Sequence, residues 1–282
     1  MQINQKKKIA VISMISSCFF FSVLGGLIKY LSEIIHPFEQ AFFRNFLSIL
    51  ILLPVVFFYK QKILNTNRKF LLFIRSIFGS LTMVFLFLSY SLIPLNQAVA
   101  ISFTTPLFIF MGGIIFFNEK PKKIEILALI LGFFSILLVI RPDLKIEIGS
   151  IVGLLAAIFH AVAALIVKEL SKTEKVITIM FFMVIFMSIF TFFPAISYWK
   201  TPSGTETWMF LFSIALIGTA GNYFWTKSLS IAEITNVIPF DFSKLIFSSL
   251  IGFYFFNETM SISTLIGGII IVISNIFLAK HL

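Results

Sequence analysis

Phe116-Phe117-Asn118-Glu119 and Phe255-Phe256-Asn257-Glu258 are the same four residues set 139 positions apart in a chain of 282. Each closes a long apolar run. Working outward at the same offset, Lys29 pairs with Lys168, Leu31-Ser32 with Leu170-Ser171 and Tyr59 with Tyr198. Leu72-Phe73 pairs with Leu211-Phe212, Gly79 with Gly218, and Ser89 and Ser91 with Ser228 and Ser230. Matches of Phe or Leu come cheaply in a chain with 38 phenylalanines, so the Asn-Glu and lysine matches carry the argument. One constant offset over this length indicates an internal duplication.

Composition says what was duplicated. The chain is 59% hydrophobic and 12% charged, with a mean hydropathy of +1.04. A soluble domain carries about 25% charged residues, so a soluble or disordered chain is excluded. The single cysteine, Cys18, excludes an intramolecular disulfide and a multi-cysteine metal site. Ten apolar segments are read at 9–29, 38–58, 70–91, 96–117, 124–140, 149–168, 176–198, 207–228, 233–256 and 261–279. Each is long enough to cross a bilayer core of ~30 Å as a helix. The runs are continuous, not alternating, which favours helices over a barrel. The predicted fold is an all-α polytopic membrane protein whose halves, 1–140 and 141–282, hold five segments each. Five is odd, so the halves enter the membrane in opposite senses. Inverted repeats of this kind give secondary transporters two near-equivalent states.

Lysine and arginine placement predicts the orientation. With the N-terminus inside, fifteen of the 22 fall on the cytoplasmic side, four outside, and Arg44, Arg75 and Lys244 within segments. Both termini are therefore expected in the cytoplasm of a cell with this chain in its inner membrane. The run Ile9–Ile28 after Lys6-Lys7-Lys8 is long enough to span, so it reads as a retained helix, not a cleaved signal. The net charge of +10 is accounted for by anchoring to an anionic leaflet, and no nucleic-acid partner is expected.

At this point the sequence resembles the drug/metabolite transporter superfamily with two EamA-type halves. The resemblance rests on Phe43-Arg44, on Arg75, on Gln97 to Pro106, on the two Phe-Phe-Asn-Glu ends and on Gly132 and Gly267-Gly268. The segment His36-Pro37-Phe38-Glu39 to Phe46, with Tyr198-Trp199 to Gly204, is similar to S-adenosylmethionine uptake carriers of that superfamily. The resemblance implies small organic solutes. It also implies a central cavity lined by segments one to four and six to nine, with five and ten peripheral.

Several polar residues lie at membrane depth, where a charge costs about 2.5–3.5 kcal/mol and usually faces a cavity or a partner. Asp241 and Lys244 are three apart and share a helix face. They read as a zwitterion-binding pair, as a substrate site with a titrating carboxylate, or as an internal ion pair that holds the ninth segment. By the offset they correspond to Ser102 and Thr105, and the two halves are thus chemically asymmetric there. Pro239 and Pro106 predict repeat-related kinks in the ninth and fourth segments. His160, among small residues, reads as a solute or proton ligand, or as a hydrogen-bonding partner of a neighbouring helix. Arg44 suits a carboxylate or phosphate, or an interfacial anchor. Arg75 reads as a cytoplasmic anchor. Asn222, Tyr223 and Trp225 offer aromatic faces for a cationic or sulfonium group, or an interfacial belt. Tyr90, with Gln97, stands at the outer turn between segments three and four, and Tyr90 and Thr105 are further candidates for solute contact.

The predicted function is a secondary transporter moving a small amino-acid-like or S-adenosylmethionine-like solute, without cofactor or metal. A structural or channel subunit is the alternative. A membrane enzyme is less consistent with twelve scattered acidic residues, three isolated histidines and short loops. Gly132, Gly267 and Gly268 would permit close contact between two copies, or close packing within one.

Overall fold

The computed structural model describes residues 2–93, 99, 101–140, 147–257 and 262–281. Every regular element among them is helical: α1 Gln2–Leu31, α2 Pro37–Leu64, α3 Lys69–Leu92, α4 Thr105–Phe117, α5 Lys123–Ile140, α6 Ile148–Leu170, α7 Val176–Ile196 and α8 Thr205–Ile231. The ninth segment follows as α9 Ile234–Val237, a 3₁₀ stretch Ile238–Ser243 and α10 Lys244–Phe256, and α11 spans Ile262–His281. Eight spans among the described residues are long and apolar enough to cross a membrane. With the fourth and fifth segments there are ten.

The helix ends follow local chemistry. His36 caps α2 with its Nδ1, which accepts the Phe38 N–H at 3.3 Å, and Pro37 follows at the first turn, where no N–H is required. Asn118 and Asn257, the duplicated asparagines, both end their helices in the left-handed region, at φ 53° and 51°. Their N–H groups donate back to Gly113 and Gly252, another pair at the same offset. Asparagine is one of the few side chains that tolerate this conformation. The helix α2 runs on to Leu64, past the apolar segment, because Lys60-Gln61-Lys62 are good helix formers beyond the bilayer.

The packing obeys the duplication. α1 lies along α8 and, equivalently, α3 along α6; α2 meets α7, and α5 meets α11. Ser89 near the end of α3 donates to the Gly149 carbonyl at 2.8 Å, and Ser228 near the end of α8 donates to the Ala10 carbonyl at 2.8 Å. Both donors and both acceptors are 139 residues apart. Inversion is visible in the same contacts. The start of α1 sits by the end of α8, and the end of α6 reaches that same corner through Lys168, which donates to Leu229 (3.0 Å) and to Ala232. Lys122 donates to the His281 carbonyl at 2.9 Å. Lys7 lies within electrostatic reach of Glu125, so both termini share this end.

The opposite end is closed by rings. His36 stacks on Tyr198 with centroids 3.9 Å apart, and partial burial holds its imidazole below the ordinary value. Trp199 packs on Phe42 and Phe43 nearby, and the buried Glu39 accepts the Lys200 N–H.

The expected kinks are sharper than bends. Around Pro239, which has no N–H to donate, the ninth segment leaves the α-helix for six residues. In the fourth segment, α4 begins at Thr105, and the turn before it tightens, with the Thr104 N–H donating to Ile101. Glu119 holds the restart after α8: its carboxylate accepts the Ile234 and Thr235 N–H groups at 2.9 Å each.

Candidate functional site

The 3₁₀ stretch places Asp241 one turn before the first residue of α10. Lys244 sits there, and its Nζ approaches both Asp241 carboxylate oxygens, at 2.7 and 2.9 Å. The pair faces protein. Asp241 is buried, and Lys244 lies over the Phe21 ring at 5.5 Å. One face of α1 forms the floor. Cys18 Sγ lies 3.6 Å from the Asp241 carbonyl and 3.8 Å from Oδ1, and Ser22 donates to the Lys244 carbonyl at 3.2 Å. Behind the stretch stand the peripheral helices. Asn275 of α11 donates to Ser243 Oγ at 2.9 Å, and Gly132 of α5 leaves room for Phe242, whose ring a Cβ there would approach to 2.2 Å.

Across from α1, His160 of α6 stacks on Trp225 of α8 with centroids 5.9 Å apart. His160 lies within electrostatic reach of Lys244, Asp241 and Arg75. It is also the repeat equivalent of Phe21, so the same position on α1 and α6 faces the centre from both halves. Arg75 is buried, not interfacial; its Nη1 donates to the Met187 thioether at 3.4 Å, which corrects the reading of it as a cytoplasmic anchor. Five residues inside α3 had placed it near the surface, but the helix is covered there by α6 and α7. Arg44 of α2 lies on Gly218 of α8 and within electrostatic reach of Arg75. Asn222 donates to the Gly218 carbonyl at 3.0 Å, one turn further along the same face.

The duplication recurs in known proteins: the EamA-like transporter family matches residues 8–141 and again 147–279. This chain belongs to the EamA-like transporter family. It is 31% identical over 253 residues to the S-adenosylmethionine uptake transporter of Rickettsia felis, covering 89% of this chain and 85% of that protein. It is 25% identical over 280 residues to the pseudopaline exporter CntI of Pseudomonas aeruginosa, covering 97% and 96%. A crystal structure at 13% identity superimposes with a TM-score of 0.83 over 96% of this chain and 98% of that one, a likeness of fold. The protein is thus an integral membrane transporter of small metabolites, not an enzyme.

In this EamA-like transporter, Asp241, Lys244, His160 and Trp225 come together, with Arg44 and Asn222 on the adjoining face. Tyr223 turns away; it packs against the cluster of α2 and α7 that contains Met180 and Val184, with Lys227 above its ring at 5.6 Å. On a helix its side chain is rotated by about 100° from that of Asn222. Thr105 is buried at the start of α4. The side chain of Tyr90, with Gln97 and Glu258, lies outside the described residues. Gly132 and Gly267 pack inside the chain, Gly267 against Ser135 and Val139 of α5, whereas Gly268 faces open space. Phe21, Ser22 and Asn275 went unremarked in the sequence, and Cys18 was read only as the single cysteine, with no place in a site. Only Phe21 carried a signal, its equivalence to His160.

Proposed function

We propose that this transporter carries S-adenosylmethionine, or a solute with the same aminocarboxylate headgroup, across the cytoplasmic membrane by alternating access, with halves 1–140 and 141–282 moving against one another. One observation carries the reading. An ion pair closed on itself at 2.7 Å sits at a break in the helix, beside the stacked His160 and Trp225 rings. A zwitterion exchanges that internal pair for two of its own: its ammonium meets Asp241 and its carboxylate a basic group. The change costs little net electrostatic energy because charges are paired before and after. The aromatic faces suit a sulfonium and an adenine ring. The relative from Rickettsia felis supports the same solute.

The lysine and arginine excess supports a cytoplasmic location for the end that carries both termini, in a bacterial inner membrane. A C-terminal reporter fusion active only in the cytoplasm is the expected result.

Purified protein in liposomes loaded with unlabelled S-adenosylmethionine should take up the labelled compound by saturable counterflow. Labelled flux that neither saturates nor responds to internal solute would make the chain a pore. No flux of any aminocarboxylate would remove this solute class.

A further inference from the structure

Among the described residues, two guanidinium groups in the core have no counter-ion. Arg75 is 7% exposed, and its one hydrogen bond among the described residues goes to the thioether of Met187, a weak acceptor. Its Nε is buried without a partner. Arg44 lies on α2, within electrostatic reach of Arg75, and its Nε is likewise buried without a partner. A cation at this depth is normally paired. These two neighbours are like-charged and remain unpaired among the described residues.

The bundle makes room for both. A Cβ on Gly218 would come within 2.7 Å of Arg44 Nε, and a Cβ on Gly79 within 3.4 Å of Arg75 Nη1. Gly79 and Gly218 are equivalent in the two repeats, so each arginine rests on the same smooth patch of α3 or α8. The arginines themselves have no such equivalence: the positions 139 residues after them are Met183 and Ile214. They stand in one half only. His160 links this pair to the ion pair electrostatically, since it is within electrostatic reach of Arg75 and also of Asp241 and Lys244. Arg44, Arg75 and Lys244 outnumber Asp241, so the centre has a surplus of positive charge.

We propose that Arg44 and Arg75 form an anion clamp that takes the carboxylate of the transported solute, while Asp241 takes its ammonium. This inference rests on the carrier reading above. The planar forks of two arginines match the oxygens of a carboxylate in a way that a lysine does not. An extended aminocarboxylate with an aromatic end spans the row, with its ring near His160 and Trp225.

The test compares S-adenosylmethionine with its α-carboxamide, by binding to detergent-solubilised protein, in the wild type, Arg44→Gln, Arg75→Gln and Lys244→Met. The wild type should prefer the carboxylate at least tenfold. Both arginine variants should reduce that preference to under threefold while keeping or raising the thermal midpoint, because each removes an unpaired buried charge. Arg75→Lys should restore part of the preference. A preference intact in both arginine variants, or lost only in Lys244→Met, overturns the clamp and leaves the carrier reading standing. Collapse of the thermal midpoint in both arginine variants makes the arginines structural. A wild type that binds neither compound overturns the choice of solute instead. The clamp is then judged by inorganic phosphate, which should raise the midpoint of the wild type by a few degrees and leave both arginine variants unchanged; equal shifts, or none, overturn it.

Discussion

Phe103 and Phe242 stack on each other with ring centroids 6.4 Å apart, and they are equivalent residues of the two repeats. Equivalent residues that touch must lie beside the axis relating the halves. The tightened turn before α4 and the 3₁₀ stretch before α10 therefore meet at that axis. The polar site lies next to this contact, since Asp241 and Lys244 flank Phe242 in the chain.

Gly132 is the first test of this junction. A Cβ there would meet the Phe242 ring at 2.2 Å. Gly132→Ala should lower stability by about 1–3 kcal/mol, the usual cost of overpacking. Phe242→Leu in the same chain should recover most of that, measured as a non-additive thermal midpoint in a double-mutant cycle. Additive losses would show that the glycine matters for some other reason.

Asp241 and Lys244 should separate stability from transport. Asp241→Asn or Lys244→Met alone leaves a buried charge unpaired, which costs about 3 kcal/mol or more. Each should lower both folded yield and uptake. The double variant should regain folded yield and remain inactive in uptake. Recovery of uptake in the double variant would reduce the pair to a packing element.

Glu119 accepts two backbone N–H groups at the start of α9 and is buried there. Glu119→Ala should cost about 1–2 kcal/mol, as expected for a lost cap. Glu119→Gln keeps one acceptor and should cost less. Thermal midpoints in detergent provide the comparison, and an Ala variant as stable as the wild type would contradict the contact.

Cys18 is the chain's single thiol, fully buried against Asp241. N-ethylmaleimide should label it far more slowly in the folded protein than in denatured chain, since reactivity requires an accessible thiolate. Phe242→Ala, which loosens the neighbouring packing, should speed labelling. Rapid labelling of the unmodified folded protein would mean that α1 does not cover the break as described.

The ten segments, the duplication and its inversion were all legible in the chain. The physical reason is that hydrocarbon tolerates only long apolar helices, and an odd number of them per half reverses the second copy. The repeated Asn-Glu was legible as the end of each run, whereas the left-handed caps made by its asparagines emerged only in the structure. Segment five and ten peripherality followed from the family resemblance and appears here as α5 and α11 backing the broken segment. Three-dimensional packing settled the rest. Pro239 marked a disturbance, but whether it bends or interrupts a helix depends on what neighbouring side chains fill the gap, here Phe242 against Gly132. Arg75 looked interfacial by its distance from a helix end, because depth along one helix says nothing of the neighbours that cover it. Asn222, Tyr223 and Trp225 looked like one group in sequence, yet helical rotation sends them to three surroundings. Side-chain partners such as Cys18 and Asn275 arise from contacts over 32 to 223 residues of chain. No local pattern encodes such contacts, and they exist only once the helices have packed.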